Sequence, residues 1–118
     1  MKMKLAIVGI LNPRVSYAEW EELLLSEVNT FDVAMVVSGG AKGVDSIAKR
    51  FAARHHIPLM EFLPNYVKFG RYATLRRNTQ IVKEANCVIA FPSSNSRGTL
   101  HNINEAKRLG KHMTIINI

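Results

Sequence analysis

Five short apolar runs, separated by stretches with helical periodicity, constrain this chain more than any other feature. The runs cover residues 5–8, 33–37, 57–62, 87–91 and 113–116. The first is continuous rather than alternating, as in a strand buried on both faces, and the third is shorter and interrupted early by Pro58. Between them lie helical stripes: Tyr17, Trp20, Leu24 and Val28; then Val44, Ile47, Ala48, Phe51 and Ala52. Leu75, Val82 and Ala85 form a third, and Leu100, Ile103 and Ala106 a fourth. Ser16 with Glu19 makes a capping box ahead of the first helix, Thr99 is the expected N-cap of the last, and Gly110 its stop. The pattern reads βαβαβαβαβ. It predicts an α/β fold, a three-layer αβα arrangement around a five-stranded parallel sheet. Ligands of such sheets bind beyond the carboxyl ends of the strands. The loops after the first four strands are therefore the expected site.

The length of 118 residues suits one domain spanning 1–118. No apolar run approaches the roughly 20 residues of a membrane span, so no membrane partner is expected. The basic start lacks the apolar length and cleavage site of a signal peptide, and a cytoplasmic location is expected. Cys87 is the only cysteine, which excludes an intramolecular disulfide. It reads as a core residue. The four histidines show no ligand spacing, and neither metal nor cofactor is expected. The net charge of +7 is unevenly spread. Three basic and five acidic residues precede Lys42; thirteen basic and four acidic residues follow from it onward. Such asymmetry points to an anionic partner: nucleic acid, a nucleotide or phosphate.

Two loops have the composition of phosphate cradles. The first is Ser38-Gly39-Gly40-Ala41-Lys42-Gly43, running into a helix with Asp45 in its first turn. Glycines allow close approach of a ligand, and the helix amides attract anions. The spacing is neither the dinucleotide fingerprint nor a P-loop. Asp45 either caps free amides or binds a ribose hydroxyl. The second loop ends in Arg97-Gly98-Thr99. The two loops follow strands expected to be neighbours. A third element carries Arg76 and Arg77 near a helix start, where their charge opposes the helix dipole and an anion would explain them. The aromatic residues show no clustering with these arginines in the sequence.

The strings S-G-G-A-K-G-V-D, P-N-Y-V-K-F-G-R-Y-A-T-L-R-R-N, V-I-A-F-P and S-R-G-T resemble the SLOG superfamily, in its small stand-alone YspA-type branch. More distant kin are the LOG phosphoribohydrolases and the Rossmann-like domain of DNA-processing protein A. The resemblance covers residues 5–118. It implies a Rossmann-like fold, a nucleotide or nucleotide-derived ligand held at the two loops, and a homodimer or higher homo-oligomer. It places Gly39, Gly40, Gly43 and Asp45 in the first loop, Gly98 and Thr99 in the second, and Arg77 and Asn78 on the third helix. Tyr66 lies near the aromatic that this branch usually has as Trp, in a place to stack on a base. Gly9 stands where the branch usually has G-S-R just after its first strand, but here Ile10-Leu11-Asn12-Pro13 follow and Arg14 is delayed, which alters the first pocket wall. Two further departures matter. The P-G-G half of the LOG motif is absent, and the position of its catalytic glutamate is Asn102, an amide that cannot serve as a general base.

Three readings follow. The first is a sensor, carrier or sequestering protein for a nucleotide-type ligand such as a nucleoside monophosphate, ADP-ribose or a cyclic nucleotide. It uses Gly9, Ser38, Gly39, Gly40, Lys42, Gly43, Asp45, Tyr66, Arg77, Asn78, Arg97, Gly98 and Thr99. The second is a nucleotide N-glycosidase, with Arg77 and Glu105 as the residues of catalysis. The third is a nucleic-acid-binding module.

Overall fold

The central strand, β1 (Met3–Gly9), is flanked in parallel by β2 (Val33–Ser38) and β4 (Cys87–Phe91). β3 (Leu59–Glu61) extends the sheet beyond β2, and β5 (His112–Ile115) extends it beyond β4. The order is β3-β2-β1-β4-β5, with every pair parallel. The computed structural model describes residues 2–9, 14–40, 44–91 and 97–117. The five-stranded Rossmann-like sheet expected from the apolar runs is present. The strands carrying the two glycine-containing loops are not neighbours, however: β1 stands between β2 and β4. The chain builds outward from β1 to β3, then returns across the sheet to β4. That return creates the switch point, and the crevice spans three strands rather than two.

Among the described residues, five α-helices accompany the strands: α1 (Tyr17–Glu27), α2 (Val44–Arg54), the single turn α3 (Tyr66–Phe69), α4 (Ala73–Glu84) and α5 (Arg97–Arg108). The pleat sends alternate residues of β1 to opposite faces. Leu5 and Ile7 join Trp20, Leu24, Ile47 and Phe51 in one core cluster. Ala6 and Val8 join Ile81, Val82, Ile103 and Ala106 in the other. Each large side chain buried this way stabilises the fold by about 1.5–3 kcal/mol. The two clusters differ in grain. The first is bulky, with Trp20 standing edge-on to Phe91 at 4.6 Å between ring centroids. The second contains Ala6, Ala85, Ala90 and Ala106, so α4 and α5 can lie close to the sheet.

Local signals explain most boundaries. The Ser16 side chain accepts from the Glu19 amide and starts α1, as the capping box predicts. Asn65 does the same for α3, through the Lys68 amide. α5 begins at Arg97, so Thr99 lies inside its first turn rather than at the N-cap. Two expected core residues are exposed: Leu75 at 40% and Leu100 at 56%. In α4 the buried residues are Ala73, Asn78, Ile81 and Val82; Leu75 lies two turns before Val82 on nearly the same side, but there it borders the open depression between α4 and α5. Leu100 sits in the first turn of α5, at the carboxyl edge of the sheet.

α1 and α2 are joined by an aromatic and charged cluster. Arg54 Nε donates to Glu21 Oε2 at 2.8 Å, and the Arg50 guanidinium lies 4.1 Å from the centroid of the Tyr17 ring. Burial pushes the Tyr17 phenol up to about 12, and the nearby Glu21 adds to the shift. A phenol whose folded value lies above its unfolded value of 10.0 contributes stability that is complete below that pH and fades between it and about 12. Absorbance titration should therefore find one of the three tyrosines ionising well after the ordinary phenol range. Uniform ionisation of all three near 10 would contradict it.

Candidate functional site

The carboxyl ends of the strands bring the first loop and α4 together. β2 ends at Ser38, which is fully buried. Its hydroxyl donates to Asp45 Oδ1 at 3.0 Å, and the Gly39 amide donates to the same oxygen at 3.4 Å. Asp45 therefore ties the loop back to the start of α2. The Gly40 amide lies 3.4 Å from Ser38 Oγ, and its φ of +68° needs a glycine.

Arg77 reaches this loop from α4. Its Nη1 donates to the Gly39 carbonyl at 2.9 Å, and its Nε donates to Asn78 Oδ1 at 2.8 Å. Asn78 is buried and aims the guanidinium, so it acts as a positioning residue. Gly39 has a plain steric reason. A Cβ there would stand 2.3 Å from Arg77 Nη1 and 3.0 Å from Asp45 Oδ2. The adjacent arginines thus have separate duties: Arg77 docks on the loop, and Arg76 lies over the Phe69 ring at 5.3 Å.

A cleft of about 340 Å³ opens beside this junction, past the end of β3. Glu61, Asn65, Lys68, Phe69, Arg76 and Arg77 line it. A second and larger depression of about 650 Å³ lies between α4 and α5. Tyr72, Leu75, Lys83, His101, Glu105 and Arg108 line that one, while Phe69, Arg76 and Gln80 border both.

The structure thus brings together Ser38, Gly39, Gly40, Asp45, Arg77 and Asn78. It does not bring Arg77 to Glu105. Glu105 lines the α4–α5 depression and takes a 2.7 Å bond from Arg108 Nη2, which holds its carboxyl below the usual range. Asn102 is buried on α5. Tyr66 is 62% exposed, with its hydroxyl 3.5 Å from Thr74 Oγ1, and does not line the cleft. Gly9 closes β1 against Phe91 and plays a structural part. Lys42 and Gly43 lie outside the described residues. Arg97, Gly98 and Thr99 form the first turn of α5, but their side chains lie outside the description.

One feature contradicts the sequence reading. Aromatic and basic residues are clustered: Lys68 lies 5.2 Å from the Phe69 ring centroid, and Arg71 lies 5.0 Å from that of Tyr72. Their alternation in Lys68-Phe69-Gly70-Arg71-Tyr72 was the signal. It is inconspicuous because the short α3 and the single turn of 3₁₀ helix at Gly70–Tyr72 have no apolar period of their own.

The family model for DNA recombination-mediator protein A matches residues 1–69, more than half of the chain. The chain belongs to that family. Gene 61 protein of Mycobacterium phage D29 is 34% identical over 82 aligned residues, covering 64% of this chain and 66% of that one. Two solved structures share the fold. DNA processing protein A from Helicobacter pylori, studied for its single-stranded DNA binding mode, superposes with a TM-score of 0.73 at 20% identity, over 96% of this chain and 64% of that one. DNA processing protein A from Streptococcus pneumoniae gives 0.71 at 14% identity, over 95% and 50%. The chain spans two thirds or less of the length of these relatives. Among the described residues no helix is long and apolar enough to cross a membrane.

Proposed function

We propose that this protein binds single-stranded nucleic acid along the carboxyl edge of its sheet. The carrying observation is the continuity of the Gly39–Arg77 junction with the cleft beside Lys68, Phe69 and Arg76. A guanidinium fixed by two hydrogen bonds is a preorganised phosphate grip. An aromatic ring flanked by cations is a stacking platform that accepts any base. Family membership supports the same reading, as does the strand binding of the Helicobacter relative.

Fluorescence anisotropy with a labelled oligothymidylate tests it. Binding should weaken with salt at a slope of about −2 to −3 in log K against log salt, as expected when three or four phosphates are neutralised. Absence of binding at low salt would remove the reading.

A mononucleotide-type ligand is a second reading, favoured by the cleft volume of about 340 Å³, which is within the range of small-ligand sites. A calorimetric titration with nucleoside monophosphates and ADP-ribose separates the two. Micromolar binding of one of these with no binding of oligonucleotides selects the second. The S-G-G-A-K-G-V-D loop supports a place in the stand-alone YspA-type branch. Homodimerisation accompanies both readings as a separate property, measured by sedimentation.

A further inference from the structure

We infer that the strand-binding surface continues over the Phe69–Arg76–Gln80 ridge into the groove between α4 and α5, which takes further nucleotides of the same single strand. The inference rests on the proposed function and extends its footprint.

Three observations carry it. First, the two depressions share one wall. Phe69, Arg76 and Gln80 border both, so a strand leaving the cleft over these residues enters the groove directly. Second, the groove has the chemistry of a nucleotide track. Tyr72 is 53% exposed and Leu75 40%, which leaves apolar surface that α4 does not use for packing. Around them stand Arg76 and Lys83, with Arg108 paired to Glu105, the one acid among the lining residues. Bases stack on such a floor while phosphates follow the cations. Third, the groove is braced. Thr79 Oγ1 and His101 Nε2 lie 3.1 Å apart and link α4 to α5 across it. The polynucleotide backbone and bases are the recognised chemistry, and DNA and RNA both offer them.

The test compares oligothymidylates of about four and about twelve nucleotides, with oligouridylates of the same lengths as the RNA arm. A longer strand gains affinity merely by offering more registers. The informative quantity is therefore the long-to-short affinity ratio and how each variant changes it. Tyr72→Ala and Lys83→Ala should each lower that ratio by about tenfold and leave short-strand affinity within twofold. Both side chains are exposed, so thermal unfolding should be unchanged. Lys83→Ala should also reduce the salt slope for the long strand by about 0.7. Glu105→Gln removes the opposing carboxylate and should raise the ratio, an effect that a purely structural role would not produce. An unchanged ratio in all three variants overturns the inference while leaving the first cleft intact. So does concentration-dependent self-association that Tyr72→Ala abolishes without altering the ratio, since the groove then seats a second copy of the chain. If strands of neither length bind at low salt, the proposed function itself fails and this extension falls with it.

Discussion

Replacing Gly9 by alanine is expected to lower the stability of the fold by about 3 kcal/mol. Two costs combine. Gly9 has φ of +139°, a backbone state that costs an L-residue about 1–3 kcal/mol. A Cβ there would also stand 2.3 Å from the Phe91 carbonyl oxygen and 2.8 Å from the Phe91 nitrogen and carbonyl carbon. These are backbone atoms of the paired strand, held in register with β1, and the Phe91 side chain is itself packed edge-on against Trp20. They have nowhere to move, and overpacking of this kind costs about 1–3 kcal/mol. Urea denaturation should show the midpoint falling by about 1–2 M at an unchanged slope. A midpoint equal to the parent's would mean that the β1 and β4 ends separate readily. Gly70 is the contrast. Its φ is +55°, but nothing lies within 4 Å of a Cβ there, so alanine meets only the backbone cost.

The sheet was legible in the sequence because burial on both faces leaves continuous apolar runs such as residues 5–8, which no exposed strand would carry. The α2 stripe was equally clear: Val44, Ile47, Ala48, Phe51 and Ala52 are all buried as their spacing requires. Strand order was not legible. Local patterning is the same whether β4 pairs with β2 or with β1, and only the return across the sheet decides it. Leu75 and Leu100 were misassigned because apolar character says that a residue favours burial, not that a neighbour covers it. In the site, the glycine loop and Arg77 could be named from their strings, but the distance from Gly39 to Arg77 spans 38 residues. That contact arises from the packing of α4 beside β2. The alternation of cations and rings at residues 68–72 was visible in the letters. Its meaning depended on a short helix and a 3₁₀ turn that expose both kinds of side chain together.

Arg77→Ala should weaken oligonucleotide binding by about 10- to 100-fold, the worth of a charged hydrogen-bond donor to phosphate. The size of the effect depends on preorganisation as well as charge. Asn78 Oδ1 and the Gly39 carbonyl hold the guanidinium from two sides, so little side-chain freedom remains to be lost on binding. Arg77→Lys retains the charge but cannot reproduce both bonds from one ammonium group, and an intermediate loss is expected. Gly39→Ala provides a stricter test. Its Cβ would occupy the position 2.3 Å from Arg77 Nη1, and the atoms it meets belong to the end of a flexible side chain. The fold should tolerate the change, but the guanidinium must leave its seat. Gly39→Ala should therefore approach the binding loss of Arg77→Ala while the arginine is still present. The Gly39→Ala/Arg77→Ala double variant should bind no worse than the weaker single one, since residues acting as one unit are not additive. Losses that simply add would show that the loop and the arginine contact the strand independently. The docked Gly39–Arg77 junction would then not be the binding geometry. Anisotropy titrations of the four proteins at one low salt concentration, with thermal melts as the control for folding, decide between these outcomes.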